Sequence, residues 1–423
     1  MVKLKSALRI EHGRCARVVD AVARLEAALG RVCAYTYTEV QAGASLYWGT
    51  CQVDGMGFSP MGKGGSSQAC KASTLAETAE WLALRRRRRL PGYVKAHQSA
   101  LPEALPIEDL IAHVAGVTPA LRDRIKATGP AQYWVDGYSL LEERTRPVPL
   151  EYIHGISGTN GVAAGNGLEE AVVQGVYEVL ERRAVITAMR NRLVLPTIDV
   201  ATIEDSSIRA QLDELAQHGT QVIVKDLSFG GALPAIGVYC VTPGVPATLQ
   251  AHHLFKGAAS YDRTAALSSC LTEYAQVCHL GQRERETLPA YERLLCEGPQ
   301  ADNFLPLFWF GYLPYGAMDF ITQGEVVPFE PGAMAGDCLD DVERLKAFCE
   351  MLGLDLLVVD LTDPAVGFPV VQVMMPGYSD ILPYHPASSP VLLEGWTREL
   401  RLGDYEEGGS RKACSAAELF PDW

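Results

Sequence analysis

A weak internal repeat constrains the fold of this chain more than any other feature. The unit at residues 206–244 returns at residues 340–377, and each copy combines an amphipathic helix with two apolar strands. Gly219 and Gly353 stand where each helix can end, because glycine adopts the left-handed backbone that closes a helix. No long polar linker separates the copies. The repeat predicts an α/β (α+β) fold with duplicated αββ units, whose helices pack on mixed or antiparallel sheets.

The composition disfavours several classes of protein. The 423 residues carry a formal net charge of −14, whereas a nucleic-acid binder needs a surplus of lysine and arginine. Charges interrupt every apolar run of the N-terminus, and no later run approaches the length of a membrane span. The 11 cysteines form no CxxC pair, which fits neither a disulfide framework nor a structural zinc site. We predict a cytoplasmic protein with no nucleic-acid or membrane partner.

The sequence AAGNGLEEAVVQGVYEVLERRA, residues 163–184, predicts a helix with one acidic face. On a helical wheel this face holds Glu170, Gln174, Glu178 and Glu181, opposite leucine and valine side chains. One interpretation is a face covered by water. Such faces usually interleave lysine or arginine, however, and this face has no cation before Arg182. If a second acidic helix covered it, a bound cation would relieve the repulsion.

A second predicted helix, which contains ASTLAETAEWLAL, repeats this design. Ser73, Glu77 and Glu80 fall within about 60° of arc. Carboxylate oxygens, together with waters and phosphate oxygens, are the ligands that Mg²⁺ takes. Two such helices therefore indicate a site for Mg²⁺ and a nucleotide. In a third predicted helix Glu273 and Gln276 lie one turn apart, which on its own indicates little.

A rival nucleotide motif lies at residues 57–64, in a predicted glycine-rich turn. It matches the start of a P-loop but has Gly64 where the Mg²⁺-binding Ser or Thr belongs. Pro60 also removes a backbone N–H that would otherwise contact phosphate. We therefore reject a P-loop, but expect Lys63 to reach a phosphate as a point charge.

In their content and order, these motifs resemble those of the YcaO family. SxxxExxE begins at Ser73 and NxxxExxxQxxxExxER begins at Asn166; CLTEYAQ and VVDLTDPAVGFPVVQVMMPG follow. The resemblance implies a YcaO-like fold that binds ATP and Mg²⁺ between glutamate-bearing helices and activates a backbone amide of a peptide. We expect a YcaO-like ATP-binding domain at residues 56–390 and a C-terminal tail at 391–423. The periodicity of residues 1–55 predicts an N-terminal helix and strand segment that is part of the main fold.

The resemblance also assigns site residues one by one. Besides Lys63, the cofactor-binding residues are Ser73, Glu77, Glu80, Asn166, Glu170, Gln174, Glu178, Glu181, Arg182, Glu273 and Gln276. The metal ligands are Glu77, Glu80, Glu178 and Glu181. The chain departs from the family pattern at three of its motif positions. Trp81 and Cys278 stand where arginine is usual, and Ala163 stands where serine is usual.

The resemblance leaves the product open. Attack by sulfide on the activated amide gives a thioamide, and attack by a neighbouring side chain gives an azoline. The chain ends in LFPDW without the Pro-x-Pro-x-Pro tail of azoline-forming members, so we expect a thioamide. We expect a precursor peptide or protein as substrate, a TfuA-like or ThiF-like partner and a homodimer. The alternative is a non-catalytic ATP-binding accessory protein, for example for ribosomal-protein methylthiolation, which Trp81 and Cys278 favour.

Overall fold

Helices connect and cover the sheets along the whole described chain. The computed structural model describes residues 2–57, 59–90, 92–112, 119–128, 131–242, 253–280 and 315–379. Over these residues the α-helices are α1 (Val18–Leu29), α2 (Ser67–Arg86), α3 (Ile107–Leu110), α4 (Pro119–Thr128), α5 (Leu150–Ser157), α6 (Leu168–Arg190), α7 (Ser206–Gln217), α8 (Arg263–Leu280) and α9 (Cys338–Leu352). Short 3₁₀ helices cover Arg87–Arg89, Gln98–Ala100, Val200–Thr202 and Tyr315–Thr322.

The described strands form three sheets. They are β1 (Tyr35–Gln41), β2 (Tyr47–Val53), β3 (Met61–Gly64), β4 (Val94–Ala96), β5 (Gln132–Ser139), β6 (Arg144–Pro149), β7 (Val162–Ala164), β8 (Thr197–Asp199), β9 (Gln221–Asp226), β10 (Ala235–Val241), β11 (His253–Ala259), β12 (Val326–Pro328), β13 (Leu357–Asp360) and β14 (Val370–Met374). One sheet has the order β1-β2-β3, and a second has the order β11-β10-β9-β8-β12. The third has the order β4-β5-β13-β14-β7, with β6 paired to β5. β8 and β12 are parallel, whereas the neighbouring pairs β9–β10 and β13–β14 are antiparallel.

The predicted repeat is present as two αββ units, so the predicted fold class is confirmed. The first unit is α7, β9 and β10, and the second is α9, β13 and β14. The strands of each unit pair antiparallel, but the two units belong to different sheets. Gly219 and Gly353 have φ values of 76° and 65°, the left-handed backbone that ends the helix of each unit.

Helix α6 lies between the two larger sheets. It packs against β7 and β14 on one side and against β10 and β11 on the other. Residues from both of its faces are buried, including Val172, Val176 and Leu180. Gly175 permits this close packing, because a Cβ there would lie 2.7 Å from the Gly161 carbonyl oxygen. The position between two sheets explains why α6 is not amphipathic in the ordinary sense.

Helix α2 packs closely on strand β3, which precedes it, because two residues of β3 are glycines. A Cβ on Gly62 would lie 2.2 Å from the Thr74 backbone nitrogen, and a Cβ on Gly64 would lie 2.5 Å from that of Cys70. These glycines let β3 pack directly on α2. In the described residues, no helix is both long and apolar enough to span a membrane.

Candidate functional site

Three helices bring the predicted acidic residues together. α2 packs on β3 and β7, α6 on β7 and β11, and α8 on β3 and β11, so three shared strands connect the helices. Glutamates of different helices are close enough to repel one another: Glu77 interacts with Glu178, and Glu178 interacts with Glu273. The site therefore brings together carboxylates from α2, α6 and α8.

Glu273 of α8 is held by two lysines from different strands. Lys63 of β3 donates to Glu273 Oε2, and Lys256 of β11 places its Nζ 3.0 Å from Glu273 Oε1. Burial alone would raise the pKa of the Glu273 carboxyl, but the ammonium groups of Lys256 and Lys63 lower it below its ordinary value. Glu273 is thus an ionised carboxylate between two cations. Gln276, one turn later, is buried at the edge of this cluster.

Glu178 of α6 has an ion pair and a backbone partner. Arg182 Nη2 lies 2.6 Å from Glu178 Oε1, and the Gly161 N–H donates to Glu178 Oε2 at 3.1 Å. Gly161 is required at this point, because its φ is 79° and a Cβ would lie 2.2 Å from the Val373 carbonyl oxygen. Burial raises the pKa of Glu178, and Arg182 partly offsets that effect.

The carboxylates of α2 accept hydrogen bonds mainly from neutral groups. The Ala164 N–H donates to Glu80 Oε1 at 2.7 Å. The Trp81 side chain and the Met61 N–H donate to Glu77. Burial raises the pKa of Glu77 to about 7, and burial together with Glu77 raises the pKa of Glu80 well above its ordinary value.

The pKa of Glu181, on α6, is raised further than that of Glu77. Burial and the nearby Glu273 carboxylate raise its pKa to about 8. Among the described groups at this place, six carboxylates, Glu170 included, face four cations, which are Lys63, Lys256, Arg182 and Arg14. When all are ionised, the excess is two negative charges, so a bound cation would be favourable.

The N-terminal part of the acidic face of α6 contacts the start of the chain. Glu170 is 2% exposed and accepts from the Cys15 N–H at 2.8 Å and from Asn166 Nδ2 at 3.1 Å. Arg14 Nη1 also lies 3.4 Å from Glu170 Oε1. Gln174 lies half-buried between Glu170 and Glu178 along the helix. The interpretation of this face as covered by water is therefore wrong.

The rejected P-loop segment is in part a strand, so the predicted glycine-rich turn is too long. Lys63 lies on β3, and its N–H donates to Ser73 Oγ of α2 at 3.4 Å. The glycines on either side of Lys63 serve packing, as described above. The strand places the Lys63 ammonium among the carboxylates.

The three departures from the family motifs have different surroundings. Trp81 contacts Glu77, and Ala163 is buried in β7. The Cys278 side chain and the C-terminal tail lie outside the described residues. In the part of the chain that is described, no three His, Cys, Asp or Glu side chains lie close enough to hold a metal ion by themselves.

Lys256 and Arg14 are site residues that sequence reasoning missed. Lys256 stands in the apolar strand HLFKGAA, where a single cation is unusual, and that contrast could have drawn attention to it. Arg14 lies in an N-terminal segment with no motif. Its contact with Glu170 depends on tertiary packing over 156 residues of sequence.

Comparison with known proteins places this chain in a family. A model of the YcaO cyclodehydratases, described as ATP- and Mg²⁺-binding, matches residues 61–379. The ribosomal protein S12 methylthiotransferase accessory factor YcaO of Escherichia coli K12 is 26% identical over 244 residues, which are 57% of this chain and 40% of that protein. An uncharacterised protein in the tfuA 3′ region of Rhizobium leguminosarum bv. trifolii is 25% identical over 236 residues, 52% of each chain.

The fold is also that of a solved member. The structure of YcaO from Methanopyrus kandleri bound with AMPPCP and Mg²⁺ matches with a TM-score of 0.62 and 19% identity, over 89% of this chain and 95% of that one. The chain spans less than two thirds of the length of the curated relatives it matches. Because the family model covers most of the sequence, the chain belongs to the YcaO family, whose cofactors are ATP and Mg²⁺.

Proposed function

We propose that the chain uses ATP and Mg²⁺ to activate a backbone amide of a peptide or protein. The observation that carries this proposal is the meeting of glutamates from α2, α6 and α8 with Lys63 and Lys256. Family membership supplies the cofactors, and these side chains are of the kinds that would bind them.

The donor set fits both cofactors when waters and phosphate oxygens complete the metal shell, since no three described carboxylates can hold a metal ion by themselves. Carboxylate oxygens are ligands that Mg²⁺ prefers, and Mg²⁺ commonly completes its shell with waters and phosphate oxygens. We assign the metal to Glu77, Glu80, Glu178 and Glu181. Lys63, Lys256 and Arg182 supply positive charge for the phosphates. The remaining nucleotide-site residues are Ser73, Asn166, Glu170, Gln174, Glu273 and Gln276.

The contribution of the protein to the reaction is position and charge. When bound, ATP supplies the phosphoryl group that turns the amide oxygen into a leaving group. Glu273 holds Lys256 and Lys63, and Glu178 holds Arg182, so the cations are oriented before any substrate arrives. Such preorganised charge is effective because it needs no rearrangement during the reaction. The amide carbon then accepts a nucleophile, and phosphate leaves with the original oxygen.

We propose sulfide as that nucleophile, so that the product is a thioamide. We also propose a TfuA-like partner for this chain, because one relative is a protein in the 3′ region of tfuA. A ThiF-like partner and a homodimer are further expectations. If a Cys, Ser or Thr side chain of the substrate attacks instead, the product is an azoline.

A second candidate is an accessory role without peptide chemistry. The Escherichia coli relative is named an accessory factor. Trp81 is a neutral donor to Glu77, so it adds no positive charge for a phosphate. In this role nucleotide binding would control assembly with a partner.

The formation of ADP in the presence of peptide tests the proposal. The chain is incubated with ATP, Mg²⁺ and the short peptides encoded beside its gene. We expect ADP release that depends on peptide and is lost in Glu178→Gln. Glu204→Gln, which changes an exposed carboxylate elsewhere, should behave as the wild type. Absence of both nucleotide binding and ADP release would contradict the proposal.

A further inference from the structure

The start of the chain is attached to the first turn of α9. The Ala7 N–H donates to Asp337 Oδ1 at 2.7 Å, and the Cys338 N–H donates to the Ala7 carbonyl oxygen at 3.0 Å. Leu8 and Asp337 form an antiparallel bridge. Asp337 also caps α9 by accepting from the Leu339 N–H. These contacts fix the N-terminal segment relative to the helix.

Two thiols meet across this attachment. Cys15 Sγ lies 3.2 Å from Cys338 Sγ, although the residues are 323 positions apart in the sequence. A disulfide requires sulfur atoms at about 2.05 Å, so a combined approach of roughly 1 Å is sufficient. Cys338 is fully buried, whereas Cys15 is partly exposed and can meet a small oxidant.

The surroundings favour the thiolate of Cys338. Its hydrogen bond with Cys15 and the Arg9 guanidinium lower the pKa of the Cys338 thiol. Cys338 is also the first residue of α9, where the helix dipole favours negative charge. The same hydrogen bond and burial raise the pKa of Cys15. The pair thus combines a reachable sulfur with a nucleophilic one.

We propose that Cys15 and Cys338 form a reversible disulfide, driven by a peroxide, that locks the N-terminal segment onto α9. Cys15 passes its proton to the Cys338 thiolate along their hydrogen bond and attacks hydrogen peroxide as a thiolate. The O–O bond breaks, Cys15 becomes a sulfenic acid, and the hydroxide that leaves takes the proton from Cys338 to form water. The Cys338 thiolate then attacks the Cys15 sulfur, the S–O bond breaks, and the second hydroxide takes a proton from solvent to form a second water. Peroxide is reduced by two electrons, and a thiol reductant restores the pair by exchange.

The disulfide would restrain more than the two cysteines. The Cys15 N–H holds Glu170 at the start of α6, so a fixed Cys15 also fixes that contact. The bond would close a loop that contains most of the chain, and long loops gain most from such a restraint. Oxidation should therefore raise the melting temperature.

Peptide mapping after peroxide tests this pair. The full chain is treated with hydrogen peroxide, its free thiols are alkylated, and it is digested with trypsin and a glutamate-specific protease, which separates Cys338 from Cys296. We expect a cross-linked peptide that contains Cys15 and Cys338, lighter than its two halves by two hydrogen atoms and lost with dithiothreitol. The oxidised protein should melt several degrees above the reduced protein.

Variants provide the controls. Cys15→Ala and Cys338→Ala should each abolish the cross-link and the change in melting temperature. Cys33→Ala, at another partly exposed cysteine, should leave both unchanged. The proposal is overturned if Cys33 is oxidised while Cys15 and Cys338 remain unlinked, or if Cys15 proceeds to a sulfinic acid in the wild type.

Discussion

Lys256 Nζ lies 3.0 Å from Glu273 Oε1, which joins strand β11 to helix α8 beside the acidic cluster. Lys63 occupies the other oxygen of the same carboxylate. Glu273 therefore orients two cations and does not act as a free acidic group. In the proposed site these cations face the nucleotide phosphates. Replacing either lysine should therefore lower ATP turnover more than it lowers the stability of the fold.

Lys256→Met removes one of these cations and keeps an apolar stem of similar length. We expect ATP turnover to fall by about 100-fold, the usual effect of losing one preorganised charged contact. Steady-state ADP formation measures this loss. Lys346→Met is a matched control, because Lys346 also lies 3.0 Å from a glutamate, Glu343, but on α9. Equal turnover in both variants would exclude Lys256 from the phosphate site.

Glu77→Gln and Glu178→Gln should change the melting temperature differently, because Glu178 has an ion-pair partner and Glu77 accepts hydrogen bonds from neutral groups. Burial raises the pKa of Glu77 to about 7, so its neutral amide analogue removes the cost of burying a charge, and the apo melting temperature should stay level or rise. Glu178→Gln breaks the ion pair with Arg182 and should lower the melting temperature by a few degrees. Both variants should lose nucleotide turnover. A large fall in melting temperature for Glu77→Gln would show that Glu77 is a structural partner.

The two raised carboxyl pKa values predict a pH dependence of stability. Glu77 and Glu181 have folded pKa values of about 7 and about 8, above the ordinary 4.5. A carboxyl with a raised pKa stabilises the fold while protonated, and this stability is lost as the pH rises through the folded pKa. The apo protein should therefore melt at a lower temperature at about pH 8.5 than at about pH 5.5.

Glu181→Gln provides the comparison for this effect. The variant cannot ionise at this position, so its melting temperature should fall less over the same range of pH. Glu204→Gln, an exposed position, should follow the wild type. Parallel curves for Glu181→Gln and the wild type would mean that the Glu181 carboxyl does not titrate in this range.

Nucleotide binding should require Mg²⁺. The cluster has an excess of carboxylates, so a polyphosphate without a cation meets like charge. Calorimetric titration with AMPPCP should give little heat in EDTA and clear binding in excess Mg²⁺. The same affinity in both buffers would place the nucleotide away from these glutamates.

The repeat made the fold class predictable, because each αββ unit contains its own local signals. Gly219 and Gly353 end their helices as the sequence indicates. The placement of the two units in different sheets could not be predicted, since it depends on which strand edges meet. The burial of Glu170 also depends on packing, because its partners Arg14 and Cys15 belong to a distant segment.

The acidic residues of the site were visible in the sequence, as were Lys63 and Arg182, whereas the other partners of the glutamates were not. Glu77 and Glu80 recur at helical spacing in α2, as do Glu178 and Glu181 in α6, and one sequence can reveal such a pattern. Lys256 becomes a partner only when β11 packs on α8, and the Gly161 and Ala164 N–H groups carry no side-chain signal. Every residue except proline has a backbone N–H that can donate a hydrogen bond. The sequence therefore does not distinguish these two N–H groups, and only the fold shows that they contact glutamates.

The product of the reaction distinguishes the proposed function from its alternatives. With a peptide encoded beside its gene, ATP, Mg²⁺ and a sulfide source, the chain should replace one backbone oxygen by sulfur, which raises the peptide mass by about 16 Da. Azoline formation loses water and lowers the mass by about 18 Da. Both routes consume ATP, so ADP release cannot separate them and intact-mass spectrometry is required. A peptide that loses water in the absence of sulfide would show that the product is an azoline and not a thioamide. An unchanged peptide despite nucleotide binding would favour the accessory role. In that case the variant Trp81→Arg, which places a cation next to Glu77, would show whether peptide modification can be gained by a change at this position.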